Sequence, residues 1–177
     1  MNANKAMQSG FTLVELLIVT IILAILAAIV IPQFASTTDD AKSSALDSNL
    51  SAIRSAVDLY YQQHSNYPSA IAATGATCPN SGTAGSGGIN TEQAFIDQLT
   101  RYSNLAGATC TTTDASFKYG PYVKKEALPN NSLTDSNTLV ISTTGALGMA
   151  GNATPAGWKF DNVTGQFIAD DAANAHR

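Results

Sequence analysis

Hydrophobic and polar positions divide the chain into three stretches of different character. From Phe11 to Phe34 the only ionisable residue is Glu15, and Leu16 to Ile31 is apolar except for Thr20. At 1.5 Å per residue this run makes a helix of roughly 36 Å, enough to cross a bilayer core of ~30 Å. A second pattern follows without a linker. Leu46, Leu50, Ile53, Val57, Tyr60 and His64 recur at spacings of three and four, which predicts one apolar stripe on a helix. Asp47, Arg54 and Asp58 fall on other faces, with Arg54 and Asp58 an i,i+4 pair. The stripe is short and ends in aromatics, so it is expected to pack on the chain's own head rather than form a coiled-coil seam. Pro32 is expected to kink the helix rather than end it, because the pattern resumes beyond it. Asn66-Tyr67-Pro68 is the expected stop. The result is one helix of about 50 residues, apolar over 11–34 and amphipathic over 35–66.

The third stretch, 67–177, is polar and mixed. Residues 69–92 are rich in turn formers, as in Gly82-Thr83-Ala84-Gly85-Ser86-Gly87-Gly88, and are expected to form a flexible surface loop. No Gly-Lys-Ser/Thr ending marks them as a phosphate loop. Glu92 to Tyr102 reads as a short helix with Phe95, Ile96, Leu99 and Tyr102 on one side. Phe117–Val123, Thr138–Ser142, Trp158–Asp161 and Gln166–Ala169 read as short strands, with Asn162-Val163-Thr164-Gly165 as a hairpin connection. The fold class is therefore α+β: a long N-terminal helix against a small antiparallel β-meander.

Composition narrows the functions. Of 177 residues only 12% are charged, and the net charge is −4, which opposes nucleic-acid binding through a broad basic surface. Two cysteines are too few for a disulfide-dense scaffold or a four-cysteine zinc site. The two histidines, His64 and His176, sit in no metal-ligand spacing, and no nucleophile-elbow or Ser/His/Asp pattern stands out. No enzyme, cofactor or metal is expected. Asp135 and Asn137, or Asp170 and Asp171, could supply oxygens to calcium, but solvated loop acids are the simpler reading. Asn49, Asn130, Asn152 and Asn162 each open an N-x-Ser/Thr triplet, a pattern common by chance.

The N-terminus carries the sharpest signal. Ten residues with one charge, Lys5, precede the apolar run, and Asp39-Asp40 follow it, an arrangement that weakly favours the N-terminus inside. A secretory signal peptide would have a shorter apolar core. A plain anchor would have no use for Glu15, since a charge inside a membrane helix costs roughly 2.5–3.5 kcal/mol when central and less near an end. A cut between Gly10 and Phe11 would both remove the leader, residues 1–10, and create an α-amine four residues before Glu15. Carboxylate and amine could then neutralise each other, within a turn or between neighbours.

Gly10-Phe11-Thr12-Leu13-Val14-Glu15-Leu16 ahead of an apolar helix resembles the type IV prepilin and type II secretion pseudopilin family. The resemblance implies cleavage after Gly10 by a prepilin peptidase, N-methylation of Phe11, and a register-setting role for Glu15 in assembly. Pro32 matches the family's helix-kinking proline, while Ala52 stands where a second proline is common. Tyr67-Pro68, Tyr119-Gly120-Pro121-Tyr122 and Trp158–Gly165 are more loosely similar to pseudopilin heads. The expected function is a structural subunit stored in the inner membrane with its head outside the cytoplasm, then polymerised through its N-terminal helices into an extracellular pilus. The alternative is a periplasmic type II secretion pseudopilus; an alternative of another class is a membrane-anchored domain that never polymerises. An assembly ATPase and a membrane platform protein are implied partners. The family's major pseudopilin binds calcium in C-terminal loops, but the acidic, glycine-rich ending of that site is not evident here. An exported head would meet an oxidising compartment, where Cys78 and Cys110 are expected to pair.

Overall fold

A computed structural model describes residues 11–152, 154 and 156–176, with the backbone alone at Ala35. The proposed leader, Gly10 included, lies outside the described residues. The chain divides into two compact units, one ending at Ala41 and the other starting at Lys42. Helix α1, Leu13–His64, passes from one to the other and contains Pro32 without interruption.

In the first unit every described side chain is exposed. The amphipathic stripe belongs to the second unit. Leu46, Leu50, Ile53, Val57, Tyr60 and His64 are all at most 4% exposed, so the three-and-four spacing maps directly onto the buried face. The helix stops earlier than the proline requires. Ser65 turns left-handed at φ 56°, its amide reaches Tyr61 O at 2.8 Å, and Asn66 Nδ2 donates to His64 O at 3.1 Å. A left-handed residue closed by such a bond is a common helix end.

Helix α2, Glu92–Thr100, is capped by Thr91, whose hydroxyl accepts from Ala94 N at 3.1 Å. It is shorter than the sequence pattern suggests, because Arg101 is already extended and Tyr102 opens a strand. Strands β1 (Tyr102–Ser103) and β2 (Thr109–Cys110) form an antiparallel pair that the sequence pattern missed. Strands β3 (Leu139–Ser142), β4 (Trp158–Asp161) and β5 (Phe167–Ala169) form a second sheet in that order.

Two expectations about the strands are corrected. The sheet is not wholly antiparallel: β3 and β4 are parallel, with Leu139 opposite Trp158 and Ser142 opposite Asp161. Residues 143–157 form the long connection such a pair requires. Phe117–Val123 is not a strand. Tyr119 makes a single bridge to Ser103, after which the chain turns at Gly120 (φ 72°) and Pro121. The amides of Tyr122 and Val123 both donate to Leu99 O, at 2.8 and 2.9 Å, so this segment wraps the end of α2.

The core lies between α1, α2 and the three-stranded sheet. Phe95 packs against Phe160 at 4.7 Å between ring centroids, and Trp158 stacks on Phe167 at 5.4 Å. Trp158 Nε1 donates to Pro129 O at 2.8 Å, which satisfies its polar atom inside the core. Arg54 Nε reaches Phe167 O at 2.9 Å, tying α1 to β5.

Candidate processing and assembly segment

The first turn of α1 is built around two residues. Thr12 precedes the helix, and its hydroxyl accepts from Glu15 N at 3.2 Å. Glu15 reaches back: its Oε2 accepts from Thr12 N at 3.0 Å and from Thr12 Oγ1 at 2.9 Å. This is a capping box, in which residues three apart satisfy donors the helix leaves open. A carboxylate there also faces the positive end of the helix dipole. Sequence reasoning explained Glu15 as the partner of a future amine and missed this second job, although Thr-x-x-Glu was legible. Only Oε2 is used in the cap, and Oε1 carries no hydrogen bond among the described residues.

Phe11 stands just ahead of the cap and is 79% exposed. From there to Phe34 the large apolar side chains are all at least 41% exposed. An 18-residue stretch within α1 reaches a mean hydropathy of 3.1. A helix apolar on every side, with no core of its own, requires lipid or other helices around it. Past Pro32 the hydroxyls turn inward on the backbone. Ser36 and Thr37 both donate to Gln33 O, at 3.1 and 2.9 Å, and Thr38 donates to Phe34 O at 2.8 Å. Such back-bonding lets polar side chains lie along a helix without an outside partner.

The other residues singled out have structural places. Cys78 and Cys110 form a disulfide with a Cα–Cα distance of 5.6 Å. It fastens one end of the glycine-rich segment to β2, and the expected flexible loop is instead anchored along its length. Ala73 N donates to Gly87 O, Gly85 N to Thr109 O, and Thr111 N to Thr83 O, all within 3.1 Å. Asp97 on α2 holds the middle: Oδ2 accepts from Ser86 N and Gly87 N, while Oδ1 accepts from Gln93 and pairs with Arg101 at 3.2 Å. Composition alone could not reveal this, because the anchoring acid lies outside the loop.

His64 is buried as a structural residue. Its Nδ1 lies 3.0 Å from Tyr60 O and its Nε2 lies 3.0 Å from Ser103 Oγ. Burial pushes its pKa below the ordinary histidine value, against the opposing effect of the ring's hydrogen bonds to the backbone of Tyr60 and Asn104. His176 is exposed in the terminal turn.

Three of the carboxylates considered for calcium accept hydrogen bonds from the chain itself. Asp135 Oδ1 accepts from Asn130 Nδ2 at 3.2 Å. Asp170 accepts from Asn152 N, Asn152 Nδ2 and Ala156 N, and Asp171 from Ala173 N and Asn174 Nδ2. Among the described residues no group of three or more His, Cys, Asp or Glu is placed to hold a metal ion. The four asparagine amides of the N-x-Ser/Thr triplets also donate to groups of the chain itself. Asn162, 5% exposed, reaches Asn90 Oδ1 at 2.7 Å, Asn152 reaches Asp170 and Asn130 reaches Asp135. Asn49 makes a longer bond of 3.5 Å to Asn130 O.

Residues 5–31 match the family described as the prokaryotic N-terminal methylation motif. The N-terminal segment carries a prepilin-type methylation motif. The same part of the chain is similar to curated proteins. The type II secretion system core protein G of Pseudomonas aeruginosa is 45% identical over 66 residues, covering 37% of this chain and 46% of that protein. The corresponding Vibrio cholerae protein is 36% identical over 61 residues, 34% of this chain and 42% of its own. The type IV narrow pilus major component PilA5 of Thermus thermophilus is 42% identical over 59 residues, 33% of this chain and 51% of its own. The chain thus spans about half the length of the relatives it matches. No solved structure matches the chain significantly.

Proposed function

We propose that this chain is a structural subunit, cleaved between Gly10 and Phe11, N-methylated at Phe11 and polymerised through its apolar N-terminal helices into a helical filament. The observation that carries this reading is the first turn of α1: a methylation-motif match on the part of the helix, up to Ala41, in which no described side chain is buried, with one carboxylate fixed at its start. Hydrolysis of the Gly10–Phe11 bond frees an α-ammonium directly beside the capping box. Glu15 Oε2 remains with Thr12, and Oε1 is available to the ammonium of a neighbouring subunit. Leaving either charge unpaired among apolar helices is costly, so axial positions that pair them are favoured and register follows. Heterologous contacts of this kind do not close, and they generate an open fibre.

In this reading the subunit catalyses no reaction. Before assembly it sits in the inner membrane through residues 11–34 with its head outside the cytoplasm. The implied partners are a prepilin peptidase, an assembly ATPase, a membrane platform protein and further copies of the chain. An extracellular pilus is the main reading. A periplasmic type II secretion pseudopilus is the second, favoured by relatives named core protein G, whose similarity is confined to little more than a third of this chain.

Glu15→Ala tests the assembly mechanism. Normal membrane insertion with filament yield reduced about tenfold or more is expected, a loss equivalent to roughly 1.4 kcal/mol or more. Unchanged assembly would remove the register role and favour a tethered, non-polymerising domain. Mass spectrometry of the native N-terminus tests processing: N-methyl-Phe11 is expected, and a filament subunit retaining Met1–Gly10 would refute it.

A further inference from the structure

The three-stranded sheet ends at β3 in an edge that carries no further strand among the described residues. The amides of Trp158 and Asn162 donate to the carbonyls of Thr138 and Ser142, at 2.9 and 3.1 Å. By strand alternation, residues 138, 140 and 142 therefore turn their backbone groups toward β4. Residues 139 and 141 turn theirs outward. Leu139 N is taken by Glu92 Oε1 at 3.0 Å. The Leu139 carbonyl and both backbone groups of Ile141 have no partner among the described residues. Val140, on the strand between them, is 37% exposed.

We infer that this edge pairs with the same edge of a second copy, as an antiparallel β3–β3 contact centred on Ile141. Three features favour a second copy over an unrelated strand. With Ile141 opposite its counterpart, each Ile141 amide meets the other Ile141 carbonyl, two bonds from one symmetric pair. One step outward, each Leu139 carbonyl faces the Thr143 amide of the other copy, and that bond stays open although Glu92's hold on Leu139 N takes the reciprocal one. From Ser136 to Thr144 there is no charged residue and no proline. Edges that must stay single usually carry Lys, Pro or a bulge, whereas an uncharged β-branched strand meets itself without like-charge repulsion. The contact is isologous and ends with two copies. It is therefore distinct from the head-to-tail polymer contact, and between heads of separate filaments it joins the two side by side.

The filament-joining consequence rests on the proposed polymer; the strand pairing does not. The test is residue-resolved amide exchange on the full-length protein in detergent micelles at two concentrations. Raising the concentration should slow exchange at Ile141 and Thr143 by at least about tenfold, while Val140, already bonded to β4, stays unchanged. Val140→Lys, which places two ammonium groups across the new pair, should abolish the protection with the fold intact. Val140→Thr should keep it. The Glu15→Ala variant should also keep it, so failure of polymerisation and failure of strand pairing read out separately. Concentration-independent exchange at Ile141, or protection that survives Val140→Lys, overturns the inference.

Discussion

Up to Ala41, no described side chain is buried; from Lys42 onward, large aromatic residues such as Trp158 and Phe160 are completely shielded. One unit has hydrogen-bonded backbone and no core, and the other has a core closed by three elements. The contrast shows where folding free energy comes from. Backbone bonding alone leaves an isolated helix marginal in water, so the first unit depends on lipid or neighbouring helices. The second carries its own stability, and damage to one unit should leave the other readable.

The largest blow to the self-sufficient unit is in the aromatic core. Phe160→Ala should cost about 3–5 kcal/mol, measured by denaturant unfolding in micelles followed through Trp158 fluorescence, with membrane insertion unchanged. Equal loss of insertion would break the separation of the two units. Next comes the staple. The double change Cys78→Ser and Cys110→Ser should lower head stability by about 3–4 kcal/mol on the chain-entropy account. Hydrogen exchange should localise the change to 73–88 and β2.

Acid should act on the head through two groups of known sign. Burial works against ionised Asp161, but amides of Thr164, Val163 and Gly145 and the Ser142 hydroxyl outweigh it and hold its pKa at about 2. A depressed carboxylate stabilises the fold above its unfolded pKa, and that contribution fades as pH falls from about 4 toward about 2. His64 is held neutral, so its contribution is present above its ordinary value of about 6.5 and declines as pH falls below it. Thermal unfolding against pH should show both regions. Asp161→Asn should flatten the lower one, and a profile identical to the parent's would rule out that role. The smallest effect is at the cap: Thr12→Ala should cost about 1 kcal/mol. It should appear as faster exchange in the first turn of α1, with head unfolding unmoved.

What could be read from residues alone followed the range of the interactions. The apolar run, the buried stripe on α1 and the three strands of the main sheet have short periods, and the structure keeps them. The parallel pairing of β3 and β4 was hidden because 143–157 reads as irregular loop, and nothing local states which way the chain returns. Strands β1 and β2 have two residues each, too few for alternation to show. Tyr119-Gly120-Pro121-Tyr122 looked strand-like by its aromatics, yet Pro121 lacks an amide and Gly120 is left-handed. At the candidate site, Glu15 stood out by its charge. Thr12 passed unremarked because a threonine before a helix is ordinary until its carboxylate partner is seen to reach back.

The anchored glycine loop also sorts its own positions for protein engineering. Side chains added at Gly85 or Gly87 would run into Thr109 Oγ1 or the backbone of Ala94, whereas Gly75 looks onto open space. An affinity tag or fluorophore acceptor peptide inserted beside Gly75 would stay clear of the Asp97 clamp. The same insertion at Gly87 would prise the loop from α2. Two glycines twelve positions apart thus separate a site for displaying foreign sequence from one that tolerates none.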